Sequence, residues 1–244
     1  MIILGSNYRA SGPPVYIPTT EAAADADTLV CELLGGAGAN ETAVGGGLTG
    51  ADLVLTQVGA VPASSGGYRQ FTAASSQYMT VTAAFQANFF NSAEWSYILD
   101  GKDCVKQAQW LCAMRSSVLG AGQILLIESV TTGALRMNSG DGAGGTAVPV
   151  HQITPSESAA FKFAAWRKNG LVHFGYVESA NFPTGWDSFP SAQRVCYPAS
   201  QFSGNWADAG YSSIIGSAGG AGYSPTVKIK TVICSKIGLA AAPV

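Results

Sequence analysis

The strongest constraint on the fold is a succession of short runs in which apolar and polar residues alternate, separated by glycine-rich turns. Such alternation places the apolar side chains on one face of an extended chain, so each run predicts a half-buried β-strand. The clearest pair is residues 161–167 and 171–178, which flank Lys168-Asn169-Gly170. Asn and Gly both tolerate the positive φ that a tight hairpin turn requires. Helical periodicity is nowhere sustained beyond two turns, which favours an all-β sandwich or barrel.

Further strands are predicted at regular spacing along the chain. They cover residues 28–34, 52–58, 68–72, 77–83, 94–99, 109–115, 123–129, 211–216 and 226–239. A short helical turn is predicted at 84–90, and loops are predicted at 35–50 and 181–205. Residues 1–26 carry Gly12-Pro13-Pro14 and Pro18, which favour extended conformations. The sequence therefore predicts an extended N-terminal arm at 1–26, which lies along its own domain or reaches a neighbouring subunit, and one domain at 27–244.

Charge is scarce in this chain of 244 residues. Charged residues make up 11%, apolar residues 47%, and the net charge is -2. No basic stripe is present, which argues against a nucleic-acid partner, and no run of 18 apolar residues predicts a membrane span. The first residues lack the pattern of a signal peptide, so we expect folding and assembly in the cytoplasm. A surface so poor in charge suits a protein whose faces are partly covered by neighbours.

The five cysteines have irregular spacing and form no C-x-x-C pair. Cys31, Cys112 and Cys234 lie within strand-like runs, which favours small buried thiols over a disulfide framework. Cys104 and Cys112 are the pair that a disulfide test would address first. Neither His151 nor His173 lies near a cysteine, so a zinc site is not expected.

Several segments, taken in order, resemble the laminin G-like superfamily of concanavalin A-like domains found in bacterial and phage proteins. Asp27-Thr28-Leu29-Val30 resembles its first strand, and residues 68–81 resemble its segment with a phenylalanine, a small-residue turn and Gln77-Tyr78. Residues 94–99, 164–170 and 227–233 resemble a core-crossing strand, the central hairpin and the closing strand. The resemblance covers about residues 27–240 and implies a two-sheet antiparallel jelly-roll sandwich.

Catalytic patterns known on this fold are missing from the sequence. A retaining glycosidase needs two carboxylates on one face, about 5 Å apart. Glu94, Glu128 and Glu178 stand alone on their runs. The pairs Asp25/Asp27 and Asp100/Asp103 are predicted to serve turns and caps. His173 is predicted to be an ordinary strand-face residue, and no Gly-x-Ser-x-Gly elbow is present.

Aromatic residues in the long segment after residue 180 are the candidates for recognition. Exposed rings would stack on sugars or anchor a protein interface, whereas buried rings would close the open end of the sandwich. The candidates are Phe182, Trp186, Phe189, Tyr197, Phe202 and Trp206. Tyr8, Arg9 and Tyr16 are the candidate assembly residues of the arm. No cofactor is expected, although Asp141, in a glycine-rich turn, is a weak candidate calcium ligand.

Three functions remain open from the sequence. The first is a non-enzymatic structural protein of a bacteriophage virion, in a capsid decoration or the tail, with itself and other virion proteins as partners. Low charge, the arm and the resemblance favour it. The second is a carbohydrate-binding, lectin-like adhesin that recognises glycans on a host surface. The third, a glycoside hydrolase, is disfavoured by the missing carboxylate pair.

Overall fold

The computed structural model describes residues 15–33, 40–64, 66–72, 75, 77–90, 92–104, 109–115, 123–129, 135–138, 159–198, 211–216 and 226–242. Sixteen strands and one α-helix occur in this part of the chain. The elements are β1 (Thr28–Glu32), β2 (Glu41–Thr42), β3 (Val44–Gly45), β4 (Val54–Val58), β5 (Ala63–Ser64), β6 (Arg69–Phe71), β7 (Tyr78–Thr80), α1 (Ala83–Phe90), β8 (Trp95–Lys102), β9 (Gln109–Arg115), β10 (Gln123–Ser129), β11 (Leu135–Asn138), β12 (Ala160–Lys168), β13 (Leu171–Val177), β14 (Arg194–Pro198), β15 (Tyr211–Ile215) and β16 (Val227–Ser235).

The described strands form two antiparallel sheets. The first sheet has nine strands in the order β14-β13-β12-β8-β16-β1-β3, with β6 paired to the beginning of β16 and β5 paired to β6. The second sheet has seven strands in the order β11-β10-β9-β15-β7-β4-β2. The predicted all-β, two-sheet antiparallel sandwich is therefore confirmed.

The hairpin between β12 and β13 confirms the strongest local signal in the sequence. Lys168 pairs with Leu171, and the two residues between them have positive φ, 52° at Asn169 and 71° at Gly170. Both values lie in the left-handed region that a two-residue hairpin turn demands. The helical turn predicted near residue 84 is also confirmed, by α1.

The two long predicted loops contain strands, which corrects the prediction. The glycine-rich stretch includes β2 and β3, and the segment after residue 180 includes β14. These strands depend on distant partners, because Val44 pairs with Val30 and Cys196 pairs with His173. The beginning of the run predicted at 52–58 belongs to a 3₁₀ turn, Gly50–Leu53.

The main core lies between the two sheets. Alternate residues of β8 and β12 point into it, including Trp95, Tyr97, Leu99 and Phe161, all fully buried. Cys31 and Cys234 belong to this core, consistent with their interpretation as small buried residues, and Cys104 is buried there as well. Burial raises the pKa of the Cys31 thiol, so this thiol stays protonated at neutral pH.

A charged contact crosses the core between the sheets. Arg69 in β6 of the first sheet is fully buried, and its Nη1 donates to Glu41 Oε1 at 2.6 Å. Glu41 lies in β2 of the second sheet, and Arg69 Nη2 also donates to Gln57 Oε1 in β4 at 3.3 Å. These bonds give the buried guanidinium a carboxylate and an amide oxygen as partners, and they hold the two sheets together at this end.

A second core covers the outer face of the nine-stranded sheet. Val30, Ile98 and Ile233 form its floor, and segments outside the sheet pack on them. Ile17, 6% exposed, comes from the N-terminal segment, whose described part lies along its own domain. The other covering residues come from the same N-terminal segment, from the segment after β13 and from the C-terminus: Val15, Ala24, Phe182, Trp186, Phe189 and Leu239.

Replacement of Glu41 by alanine tests the contact between the sheets. It leaves the fully buried Arg69 guanidinium without its carboxylate, and removal of one partner of a buried pair costs about 3 kcal/mol of unfolding free energy. Urea denaturation measures this loss. The control is Asp187→Ala, which removes a 66% exposed carboxylate from Arg194 and should cost about 0.5 kcal/mol or less. Equal losses for the two variants would contradict the assignment.

Candidate functional site

The outer face of the nine-stranded sheet consists of four cross-strand rows of side chains, set by the pairing register. Residues directly opposite each other in antiparallel strands point to the same face, so the register defines each row. The first row is Thr28, Ser235, Ser96, Trp166, His173 and Cys196. The second row is Val44, Val30, Ile233, Ile98, Ala164, Gly175 and Arg194. The third row is Glu32, Thr231, Asp100, Lys162 and Val177, and the fourth is Gln70, Lys228, Lys102 and Ala160.

The first row anchors the C-terminal segment. Ser96 Oγ donates to the carbonyl of Ile237 at 2.6 Å and accepts from the amide of Leu239 at 3.1 Å. Further along, the amide of Ala242 donates to His173 Nε2 at 3.1 Å. The segment after β16 therefore crosses the ends of β8, β12 and β13 and closes one side of the second core.

His173 is a structural residue of this row. Its side chain is fully buried and stacks on Trp166, with ring centroids 4.8 Å apart and an interplanar angle of 7°. Burial lowers the pKa of His173 to about 4, so the ring is neutral at pH 7 and Nε2 is free of a proton to accept the Ala242 bond. This location confirms that His173 is an ordinary strand-face residue.

The predicted aromatic candidates lie mainly against the sheet. Phe189 is 2% exposed and packs directly over Gly175, where an added Cβ would come within 2.4 Å of the ring. Trp186 is half-buried, with its ring edge-on to His173 and Arg194 4.7 Å from its centroid. These rings cover the second core. They do not close an open end of the sandwich.

The remaining candidates are placed as follows. Phe182 is half-buried below Lys162, whose Nζ lies 5.1 Å from the ring centroid, and Tyr197 packs against the main core. Tyr16 is 74% exposed. The other candidates, Phe202, Trp206, Tyr8, Arg9 and Asp141, lie outside the described residues. In the part of the chain that is described, no group of three His, Cys, Asp or Glu side chains could hold a metal ion.

The third row contains a buried ion pair. Lys162 Nζ donates to Asp100 Oδ1 at 2.8 Å, and both side chains are almost fully buried. The sequence interpretation of Asp100 as a turn residue is therefore wrong, because Asp100 lies within β8 and neutralises a lysine on β12. The same interpretation is confirmed for Asp25, whose carboxylate accepts from the amides of Asp27 and Thr28.

The fourth row lies beyond the apolar cover, and an aromatic ring stands beside its polar side chains. Lys102 Nζ lies 4.5 Å from the centroid of the Tyr68 ring, a cation–π contact. Next to it, Lys228 Nζ binds Asp103 Oδ2 at 2.7 Å. Burial, followed by the charges of Asp100 and Asp103, raises the pKa of Tyr68, so its hydroxyl remains a donor at neutral pH.

A shallow depression with a volume of about 160 Å³ opens beside the fourth row. Its lining is Gln70, Phe71, Asp103, Thr226, Val227 and Lys228. Asp103 has a φ of 54°, a left-handed conformation that is uncommon for a non-glycine residue and that Asp tolerates better than most. We name Tyr68, Gln70, Lys102, Asp103 and Lys228 the fourth-row site. It can offer hydrogen-bond donors, acceptors and a partly exposed ring to a polar ligand.

The sequence gives only a faint signal for this site. Tyr68 and Gln70 precede Lys228 by more than 150 residues, and the strand pairing of β6 with β16 brings them together. The alternation Val227-Lys228-Ile229 is typical of a strand with Lys228 on the face away from the core, but it does not show which residues stand beside Lys228. The sequence prediction instead placed the recognition residues in the segment after residue 180, because that segment is rich in aromatic residues.

No helix among the described residues is long and apolar enough to cross a membrane. No family model matches the sequence, and no curated protein matches it.

Solved structures do resemble the fold. The sialidase of Trypanosoma rangeli in complex with sialic acid matches 86% of this chain at 10% identity, with a TM-score of 0.53. The same enzyme with 2,3-difluorosialic acid as a covalent intermediate matches 86% at 11% identity, with a TM-score of 0.51. In both cases this chain spans 31% of the sialidase chain. At these identities the likeness concerns the β-sandwich fold alone.

The buried His173 predicts a loss of stability in acid. The unfolded chain takes up a proton near pH 6.5, whereas the folded chain does so only near pH 4. Between these values the unfolded state binds more protons than the folded state. The contribution of His173 to the free energy of unfolding is therefore fully present above pH 6.5 and decreases by about 3 kcal/mol as the pH falls to 4. Urea denaturation of wild type and His173→Gln from pH 4 to pH 7 measures the difference in slope. Identical slopes for the two proteins would contradict the prediction.

Proposed function

We propose that this domain is a non-catalytic glycan-binding module and that the fourth-row site holds the sugar. The observation that carries the proposal is the partly exposed Tyr68 ring beside Lys102 and the Lys228–Asp103 pair. Sugars present apolar C–H faces and a rim of hydroxyl groups, so their binding sites combine an aromatic platform with a few oriented polar groups.

The arrangement of the sheet supports this location. The first and second rows are covered by the protein's own segments, so a ligand cannot reach them without displacing a core. Polar side chains of the fourth row border an open depression instead. The matched Trypanosoma rangeli structures are of a sialidase bound to sialic acid and to a derivative of it, so a sandwich of this kind occurs within a protein that handles glycans.

Removal of the Tyr68 ring tests the proposal. We expect the wild-type protein to bind members of a glycan array, and Tyr68→Ala to lower the affinity for the best of them about tenfold, as for a central aromatic contact. Titration calorimetry provides the affinities. Mass analysis of the recovered glycan shows whether any bond has been cleaved.

Two matched aromatic variants locate the site. Tyr16→Ala removes a more exposed tyrosine from the N-terminal segment and should leave the affinity unchanged. Trp186→Ala removes the half-buried ring of the segment after β13 and should affect stability more than affinity. No glycan binding by the wild type rejects the function, and a loss confined to Trp186→Ala moves the site to the aromatic segment.

A second candidate function is assembly within a bacteriophage virion, in its capsid or tail, through contacts with other virion proteins and with further copies of this chain. The observation that favours it is Tyr16, whose ring is 74% exposed on a segment that packs on the domain through Ile17. Large exposed aromatic rings are typical anchors of protein interfaces. A low share of charged residues suits a face that neighbours cover.

Self-association measured by analytical ultracentrifugation tests the second candidate. We expect the wild type to form a homo-oligomer and Tyr16→Ala to weaken its association about tenfold. Tyr68→Ala is the control and should associate as the wild type does. A wild-type protein that stays monomeric at all concentrations, and that is also monomeric in its native particle, would exclude this function.

A further inference from the structure

We propose that the sugar bound at the fourth-row site is acidic and that its anionic group, a carboxylate or a sulfate, lies between Lys102 and Lys228. This inference rests on the proposed glycan-binding function and adds the class of ligand to it. Three features carry the argument: two lysines of the same row, the unequal compensation of their charges, and a nearby carboxylate that competes with a ligand.

The two lysines face each other across adjacent strands. Lys228 in β16 pairs with Lys102 in β8, so both side chains leave the same face of the sheet. Directly opposed residues have Cβ atoms roughly 5 Å apart, and like charges in such positions destabilise a sheet. Both side chains are only partly buried, so their ammonium groups are within reach of a ligand. An anion between them would turn this repulsion into two attractions.

The lysines on this part of the face are not compensated equally. Lys162 is neutralised by Asp100, and Lys228 is bound by Asp103 at 2.7 Å. For Lys102, no carboxylate among the described residues lies within 4.0 Å, and its contact is the Tyr68 ring. A ring attracts a cation through its quadrupole but does not cancel the charge. Lys102 is therefore the cation that a ligand can neutralise.

Asp103 limits the strength of anion binding. Its carboxylate already occupies one side of Lys228, and it would repel an anion placed beside that lysine. Among Lys102, Lys228 and Asp103 the net charge is +1, although the whole chain carries -2. The attraction for an acidic sugar is therefore local, and salt should weaken it because the groups are partly exposed.

The other groups of the site distinguish a sugar from a free anion. Gln70 continues the row beyond Lys228 with an amide that both donates and accepts hydrogen bonds. The Tyr68 ring offers an apolar surface, and its hydroxyl is a donor at neutral pH. A free inorganic anion would use the lysines alone, whereas an acidic saccharide would also use Tyr68 and Gln70.

Titration calorimetry with four matched ligands tests the proposal. The ligands are an oligosaccharide with uronic acid residues, its carboxyl-reduced neutral form, a sulfated form of the neutral chain, and sodium sulfate. We expect at least one of the acidic saccharides to bind about tenfold more tightly than the neutral chain, and this advantage to decrease at higher salt concentration. An advantage of the uronic acid saccharide would identify the anionic group as a carboxylate, and an advantage of the sulfated saccharide would identify it as a sulfate. Sodium sulfate should bind far more weakly than either saccharide.

Three variants connect the preference to named charges. Lys102→Gln removes the uncompensated charge and should abolish the roughly tenfold advantage of acidic sugars over the neutral chain. Asp103→Asn removes the competing charge, and Asn also tolerates the left-handed backbone, so acidic sugars should bind several-fold more tightly. The control is Lys230→Gln, which removes an exposed lysine of the same strand that lies outside the row and should change neither affinity. Thermal denaturation confirms that each variant is folded.

The outcomes separate this inference from the function on which it rests. If neutral and acidic saccharides bind equally and both depend on Tyr68, the acidic-ligand inference is overturned and the glycan-binding function stands. The same holds if Lys102→Gln and Lys230→Gln reduce acidic binding equally. If no saccharide binds, the glycan-binding function itself fails.

Discussion

The central physical constraint of this structure is the apolar outer face of the nine-stranded sheet. A sheet in a two-layer sandwich needs one buried face, but Val30, Ile98 and Ile233 make the second face of this sheet apolar as well. Burial of each such side chain contributes about 1.5–3 kcal/mol, so exposure of the row would offset much of the stability of a domain. The N-terminal segment, the segment after β13 and the C-terminus are held on the sheet for this reason.

The polar side chains at the border of this second core bind the segments that cover the sheet. The hydroxyl of Ser96 and the imidazole of His173 bind backbone groups of the C-terminal segment, which would otherwise lose water without gaining a partner. Lys162 and Asp100 pair where the cover ends. Beyond that border the sheet needs no cover, and its lysines, with Tyr68 and Asp103, remain within reach of a ligand. The position of the fourth-row site is therefore set by the end of the apolar rows of the sheet.

Prediction from sequence succeeded where the signal is local. The hairpin at Asn169-Gly170, the alternating strands and the short helix depend on backbone conformation and on period, both of which can be read within a few residues. It failed for β3 and β14, whose residues form strands because Val30 and His173 stand beside them. The sequence pointed to the aromatic segment as a recognition surface, whereas its Phe189 ring fills the space above Gly175, which no local pattern reveals.

By itself the sequence determined the class of fold, the faces of most strands and the scarcity of charge. Alternation specifies which side chains share a face, because the side chains of a strand alternate with a period of two. Only the tertiary structure decided which strands are neighbours. That register placed Gln70, Lys228 and Lys102 in one row, put Tyr68 and Asp103 beside them, and joined Arg69 to Glu41 across the core. Contacts between residues so distant in the chain result from packing of the whole domain, and this is why the candidate site appears only in the folded molecule.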